Sequence, residues 1–327
     1  MAMAIYERRR YLLMTTDPVH IGTGGYRLGR VDLSIVREPG TRIPKIPGTS
    51  LHGAARSYAA RIYESPTCAG QGANREGRDG HCGQDNCPIC YTFGYLRGEA
   101  GRKDNTVGYS GVVNVFDAHL LLFPVYSIHG PVWVSTVDRL REAGFSVTDL
   151  PSEWDIGAAL LTWERKDALN LGWLMVESAG QVVVTAPDAW KDEECWREVQ
   201  NRIALLQPAL FSQVVNSNLE VRTSVAIDPE RGAAEEGALF TYEALPRTTF
   251  LTVEVVFDDY RHGEKATVFP KNHTAEGNPL PAPWKGPLDV LGAGLNMIKW
   301  LGVGGMGTRG FGRMALVGAP WAHGEEV

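Results

Sequence analysis

Four of the five cysteines of this chain, Cys68, Cys82, Cys87 and Cys90, follow one another as C-x13-C-x4-C-x2-C. Thiolates suit a tetrahedral ion, and a C-x2-C pair can chelate one from a tight turn. Gly83 and Pro88 permit such turns. Four protein ligands leave no coordination position for water, so the pattern implies structural Zn2+ rather than a catalytic zinc centre. His81 could replace one sulfur. A stand-alone zinc enzyme would need an open position, and unligated thiols remain the alternative. Cys195 lies far along the chain, on an expected helix, as a buried apolar residue.

Other constellations could handle anions or protons. Asp32, in "LGRVDLSIVRE", stands near a flexible glycine loop and Arg30. A carboxylate there can ligate a metal or orient a hydroxyl, though most aspartates do neither. "IPKIPGTSLHGAAR" leads a proline-glycine turn into a helix that Ser50 can cap, with Lys45, His52 and Arg56 close by. Free amides at a helix start attract anions, and an ordinary capped helix fits the same residues equally well. The closing "GVGGMGTRGFG" lets the backbone approach a ligand, and Arg309 and Arg313 add charge. No Gly-Lys-Ser/Thr follows, so it is not a nucleotide P-loop, and a plain tight turn has the same composition. His20, His52 and His119 are candidate bases.

Pattern and punctuation predict the elements that position these residues. Strands are expected over 8–16, 111–125 and 248–259, with alternation over 30–38. A helix follows Ser50, and a second, capped by Asp188, covers 188–206. Residues 131–144 read as a strand turning into a helix, 173–186 as a hairpin about Gly180, and 218–245 as two β-rich runs around a turn. Residues 286–302 read as a helix before the glycine loop and a last strand. Intermixed strands and helices with many hairpins favour an α+β fold with an antiparallel sheet.

The 327 residues suffice for two average domains or one elaborated core. Without rich linkers or internal repeats, one unit over 1–327 is expected, with a zinc-binding insertion at 65–90. No apolar run is long enough for a membrane span, and the first residues do not read as a signal peptide. A cytoplasmic, membrane-free protein is expected, and clustered cysteines there do not suggest disulfides. The net charge of -6 argues weakly against a nucleic-acid binder. Residues 1–62, however, hold ten Lys or Arg against four Asp or Glu. A local basic surface matters more to phosphate than the total does, and a solvated face is the alternative.

The segments "HIGTGGYRLGRVDLSIVRE", "IPKIPGTSLHGAAR", "FDAHLLLFPVYSIHGPVWVST", "GALFTYEALP" and "GVGGMGTRGFGR" occur in this order between His20 and Arg313. In that order the chain resembles the backbone (fourth) subunit of the Cmr complex, the type III-B CRISPR effector, within the RAMP superfamily. The resemblance implies a ferredoxin-like, RRM-type palm with an inserted lobe and a β-hairpin thumb within Gln207 to Leu245. It implies copies stacked as a filament along crRNA, with other type III subunits, cleaving paired target RNA at regular intervals. Asp32 aligns with the family's catalytic acid, aided by Mg2+ or a similar ion. His20, Lys45, Ser50, His52, Arg56, Gly304, Gly305 and Arg309 would contact RNA, holding guide phosphates without reading sequence. The family pattern has proline-isoleucine-glutamine after the Asp-Leu pair, where this chain has Ser34-Ile35-Val36, and the cysteine cluster is not usual for this subunit. A non-cleaving, structural crRNA-binding subunit is the alternative.

Overall fold

Alternation along the first strand decides the layering. In β1 (Ile5–Thr15), Tyr11 and Leu13 enter one buried cluster and Leu12 enters another. Successive side chains of a strand point to opposite faces, so this sheet is covered on both sides. The computed structural model describes residues 5–24, 31–69, 81–82, 87–98, 106–260 and 284–322. Arg30, residues 25–29 of the first glycine loop, and 70–80 and 83–86 of the insertion lie outside the described residues.

After β1 come β2 (Lys45–Ile46), α1 (Gly48–Ile62), α2 (Pro88–Phe93), β3 (Gly94–Gly98), β4 (Thr106–Ser110) and β5 (Val113–Val125). The middle of the chain supplies β6 (Val132–Ser135), α3 (Val137–Glu142), β7 (Ser146–Thr148), β8 (Ala158–Leu161), β9 (Leu169–Leu171), β10 (Leu174–Gln181), β11 (Val183–Thr185), α4 (Glu194–Val199) and β12 (Ile203–Leu205). The last third holds α5 (Pro208–Ser217), β13 (Glu220–Asp228), β14 (Ala233–Ala244), β15 (Phe250–Asp259), α6 (Pro287–Leu301) and β16 (Met314–Ala322).

One half of the main sheet runs β16-β1-β15-β5, all antiparallel. Helix α1 lies between β1 and β5 in the chain, and α6 between β15 and β16, which makes a βαββαβ core. The two helices pack closely. A Cβ on Gly294 of α6 would lie 2.1 Å from the Ala55 carbonyl of α1, so only glycine permits the approach. Leu51, Ala55, Leu291 and Leu295 bury with Tyr11 and Leu13 on this side, while Leu140, Trp190 and Trp196 bury with Leu12 on the other.

Beyond β5 the sheet continues as β6-β12-β8-β10-β9 and is mixed. Strand β12 runs parallel to β6, and β10 parallel to β8, so the expected antiparallel sheet is found in the first half and gives way to a mixed one here. The connection from β6 to β12 passes through α3 and α4, long enough to bring the chain back in the same direction.

Other local expectations change too. Helix α1 begins two residues before Ser50, at Gly48, with Pro47 at the N-cap and no side-chain cap. Helix α4 covers only Glu194–Val199: it stops short because 203–205 is a strand, and Asp188 lies before it as an exposed partner of Lys191. No hairpin turns at Gly180: β10 stays in the main sheet, while β11 leaves it to pair with β7. Residues 31–37 form isolated bridges rather than a strand. The hairpin around residues 229–232 is present as β13–β14, a two-stranded sheet of its own. Among the described residues no helix is long and apolar enough to cross a membrane.

Candidate functional site

Asp32 lies where the strip 31–37 meets the root of the β13–β14 hairpin. The strip runs beside β14: the Leu33 amide donates to the Thr241 carbonyl at 3.0 Å, and the Glu243 amide to the Leu33 carbonyl at 3.2 Å. Glu243 locks it in place. Its carboxylate accepts the Ile35 amide at 2.9 Å and pairs with Arg37 through contacts of 2.5 and 2.8 Å. Arg37 also donates to Asn216 of α5 at 2.8 Å. The Asp32 Oδ2 atom accepts the Thr241 amide at 2.7 Å and the Thr241 hydroxyl at 2.9 Å. The Asp32 amide in turn donates to that hydroxyl at 3.1 Å. Thr241, by its amide first and its hydroxyl second, holds the carboxyl below the ordinary aspartate range. The other oxygen, Oδ1, has no partner among the described residues, so Asp32 offers an ionised, oriented acceptor.

Tyr242 follows Thr241, and carries the site to the glycine loop. Its ring meets Phe311 at 5.4 Å and His20 at 6.2 Å. His20 is buried, and its Nδ1 meets the Glu243 carbonyl at 2.7 Å. The Gly305 amide donates to the His20 carbonyl at 2.9 Å, so it is spent on closing the loop rather than free for a phosphate. Gly304 has φ +87°, and a Cβ there would lie 2.5 Å from the same carbonyl. Glycine is required at that point for the chain to fit. Arg309 is exposed and stacks over Phe240 of the hairpin at 5.3 Å, while Arg222 covers Phe311 at 4.7 Å. Asp32, His20, Gly304, Gly305 and Arg309 are therefore brought together by one short stretch of β14. Thr241, Tyr242, Phe240, Arg222 and Phe311 were not anticipated. The pairing of β13 with β14 was legible as a hairpin, but the approach of the strip 31–37 and of the glycine loop to it, which puts these residues here, leaves no trace in spacing along the chain.

Lys45, Ser50, His52 and Arg56 form a separate group around α1. The helix start is already answered by an acid: Asp117 of β5 accepts the Gly48 amide at 2.8 Å and pairs with Lys45 at 2.5 Å. Burial pushes Asp117 up, and Lys45 with the amide outweighs it and keeps it ionised. Ser50 is half-buried. His52 packs edge-on against Phe93 at 5.1 Å, and burial, aided by Arg56, lowers its pKa below the ordinary histidine value. Arg56 is 7% exposed and turns inward, away from any solvent phosphate, because the Cys68 and Phe93 carbonyls take its donors. His119 stands in an open groove of about 860 Å³ near Glu38, where acids outnumber cations. Several N-terminal cations are similarly engaged: Arg8 and Arg10 with Glu254, Arg9 with Glu7 and Arg37 with Glu243. Three acids from outside the stretch, Asp117, Glu243 and Glu254, thus offset part of the basic excess read from residues 1–62.

The four cysteines converge although they come from three places. Cys68 ends the 3-10 turn Pro66–Cys68 after α1, Cys87 is the N-cap of α2, and Cys90 lies in its first turn. All four sulfurs lie within 4.8 Å of one another, with separations of 3.8 Å (Cys68–Cys87), 3.6 Å (Cys82–Cys90) and 3.7 Å (Cys68–Cys90). Metal–sulfur bonds of about 2.3 Å in a tetrahedron require edges of roughly 3.8 Å. The cluster can hold such an ion. His81 is not one of the four: its Nδ1 accepts the Leu96 amide at 2.9 Å. Cys195 is half-buried on α4, in the second core. Among the described residues no other group of three or more His, Cys, Asp or Glu gathers this way.

The chain matches the RAMP superfamily over residues 12–315. It belongs to that superfamily. It is 27% identical over 253 residues to the CRISPR system Cmr endoribonuclease Cmr4 of Pyrococcus furiosus, covering 72% of this chain and 77% of that one. A 55-residue stretch, 17% of this chain and 23% of the relative, is 40% identical to the endoribonuclease Csm3 of Mycobacterium tuberculosis. Among solved structures, a chain of type III-B Cmr-beta in its apo state superposes with TM-score 0.59 at 15% identity, covering 96% of this RAMP protein and 97% of that chain. Oligomeric Cmr4 from Pyrococcus furiosus superposes with TM-score 0.53 at 19% identity, covering 96% and 100%. At these identities the structural likeness is one of fold.

Proposed function

We propose that this RAMP protein is a crRNA-binding backbone subunit of a type III-B CRISPR effector. It stacks with further copies and other effector subunits along the guide in the cytoplasm, and cleaves the paired target RNA. The βαββαβ core is its ferredoxin-like, RRM-type palm, the β13–β14 hairpin its thumb, and the cysteine lobe a zinc-bound insertion. The observation that carries the reading is Asp32. It is ionised, fixed at the root of a projecting hairpin, and has one oxygen open.

RNA can supply its own nucleophile. A target 2′-oxygen attacks the adjacent phosphorus, the P–O5′ bond breaks, and a 2′,3′-cyclic phosphate and a 5′-hydroxyl result. The 2′-proton leaves and O5′ gains one, so the protein's task is alignment and charge. A carboxylate held below its ordinary pKa is a weak base. Asp32 therefore orients the 2′-hydroxyl through Oδ1 rather than stripping it at neutral pH. Mg2+, which binds one or two carboxylates together with substrate phosphates and waters, fits a single open oxygen and would neutralise phosphate charge there. Arg309, Lys45, Ser50 and the Gly304 turn are the proposed guide contacts, and His20 and Gly305 shape the loop behind them.

In the assembled complex, Asp32→Ala should slow target cleavage about 100-fold or more while guide binding is kept. Cleavage at the wild-type rate would refute the catalytic role. One observation favours a second reading, a non-cleaving structural subunit: every hydrogen bond made by Asp32 serves to anchor the hairpin. That reading expects an uncut target in excess Mg2+ with the wild-type chain.

A further inference from the structure

Arg56 sits within α1, and its guanidinium is turned into the cysteine lobe. Nε donates to the Cys68 carbonyl at 2.7 Å and Nη1 to the Phe93 carbonyl at 3.3 Å. Nη2 is buried without a hydrogen-bond partner. No carboxylate pairs with this side chain among the described residues. A buried guanidinium facing only carbonyl dipoles is an uncompensated charge, which is costly in a protein interior. The cysteine cluster has the opposite deficit. Four thiolates on one Zn2+ leave two excess negative charges, three of the four cysteines are buried, and one of these, Cys68, is the residue whose carbonyl Arg56 holds.

We infer that Arg56 is the counter-ion of the cysteine-bound zinc, its buried guanidinium charge answering the excess charge of the thiolates. The inference rests on reading the cluster as a zinc site. Partners of this kind orient metal ligands and tune how tightly the ion is held. The two carbonyls fix the guanidinium plane, so the charge is in place before the metal arrives. A lysine would keep the charge but lose the fork that fixes it. The same side chain ties α1 to the turn carrying Cys68 and to the end of α2, so the state of the metal is felt in the palm.

The test uses the full-length chain purified with zinc, as wild type, Arg56→Lys, Arg56→Met and Cys87→Ser. Zinc per chain is measured by plasma mass spectrometry, and zinc release by transfer to a chromogenic chelator. Cobalt-substituted protein reports the sulfur-to-metal charge-transfer band. Arg56→Met should release zinc at least about 10-fold faster than wild type, with Arg56→Lys between them. The band should move to lower energy in Arg56→Met and by less in Arg56→Lys, because sulfurs that lose a fixed positive charge nearby are easier to oxidise. Should Arg56→Met fail to fold by circular dichroism, Arg56→Lys carries both readouts. Unchanged release and an unshifted band in the folded Arg56 variants overturn the inference, with the zinc site intact as long as Cys87→Ser has lost its metal. Wild type without zinc overturns the inference and the zinc reading together.

Discussion

Asp32 and Asp117 are kept ionised by different means, and the difference sets what each can do. Thr241 supplies two neutral donors to Asp32 and leaves an oxygen open, whereas Asp117 is matched by a lysine and a helix amide. Asp117 thereby does the capping that Ser50 is well typed for, and no pattern along the chain links positions 48 and 117. His52 shows the reverse case, since burial lowers its pKa from the ordinary 6.5. Between the folded and unfolded values the unfolded chain binds more protons, so stability rises with pH. The contribution of neutral His52 is therefore fully present above about pH 6.5 and is lost as pH falls through the depressed folded value. Urea midpoints measured from pH 7.5 to pH 5 should fall more steeply for wild type than for His52→Gln. Parallel curves would show that His52 is not held neutral.

At the scale of elements, the hairpin depends on a buried pair. The Glu243 side chain is 7% exposed and that of Arg37 13%, and together they join the strip, β14 and α5. Glu243→Ala strands the arginine and should cost about 3–5 kcal/mol, while Arg37→Met with Glu243→Leu should cost markedly less. Equal losses in denaturant titrations would mean the pair acts through shape alone. The hairpin itself was legible in the sequence, because two β-rich runs flank a polar turn. So were β1, β5, β15, α1 and α6, whose periodicity matches their burial. The strip 31–37 was misleading: its alternation looks like a strand, yet its amides and carbonyls are shared among Ile21, Thr241 and Glu243 rather than with one partner. The run after Asp188 also misled, since tertiary pairing takes 203–205 into the sheet over its helical pattern.

Across the whole molecule, two cores lie on opposite faces of one sheet, and the cysteine lobe joins only the first. Stripping the metal with a chelator should therefore speed hydrogen exchange in 48–69, 87–98 and 106–110 and leave 132–148 and 183–205 unchanged. Uniform acceleration would mean that the two layers unfold as one. The cysteine cluster was fully legible because its ligands are close in sequence, whereas the surroundings of Asp32 come from positions about two hundred residues apart. The ends of the sheet carry one more consequence. Its borders are β9, three residues long, and β16, which contains Pro320 and a register break opposite β1. Short, proline-bearing or irregular borders are poor templates for a further strand. A runaway backbone ladder of the amyloid kind is therefore disfavoured at both ends of the main sheet.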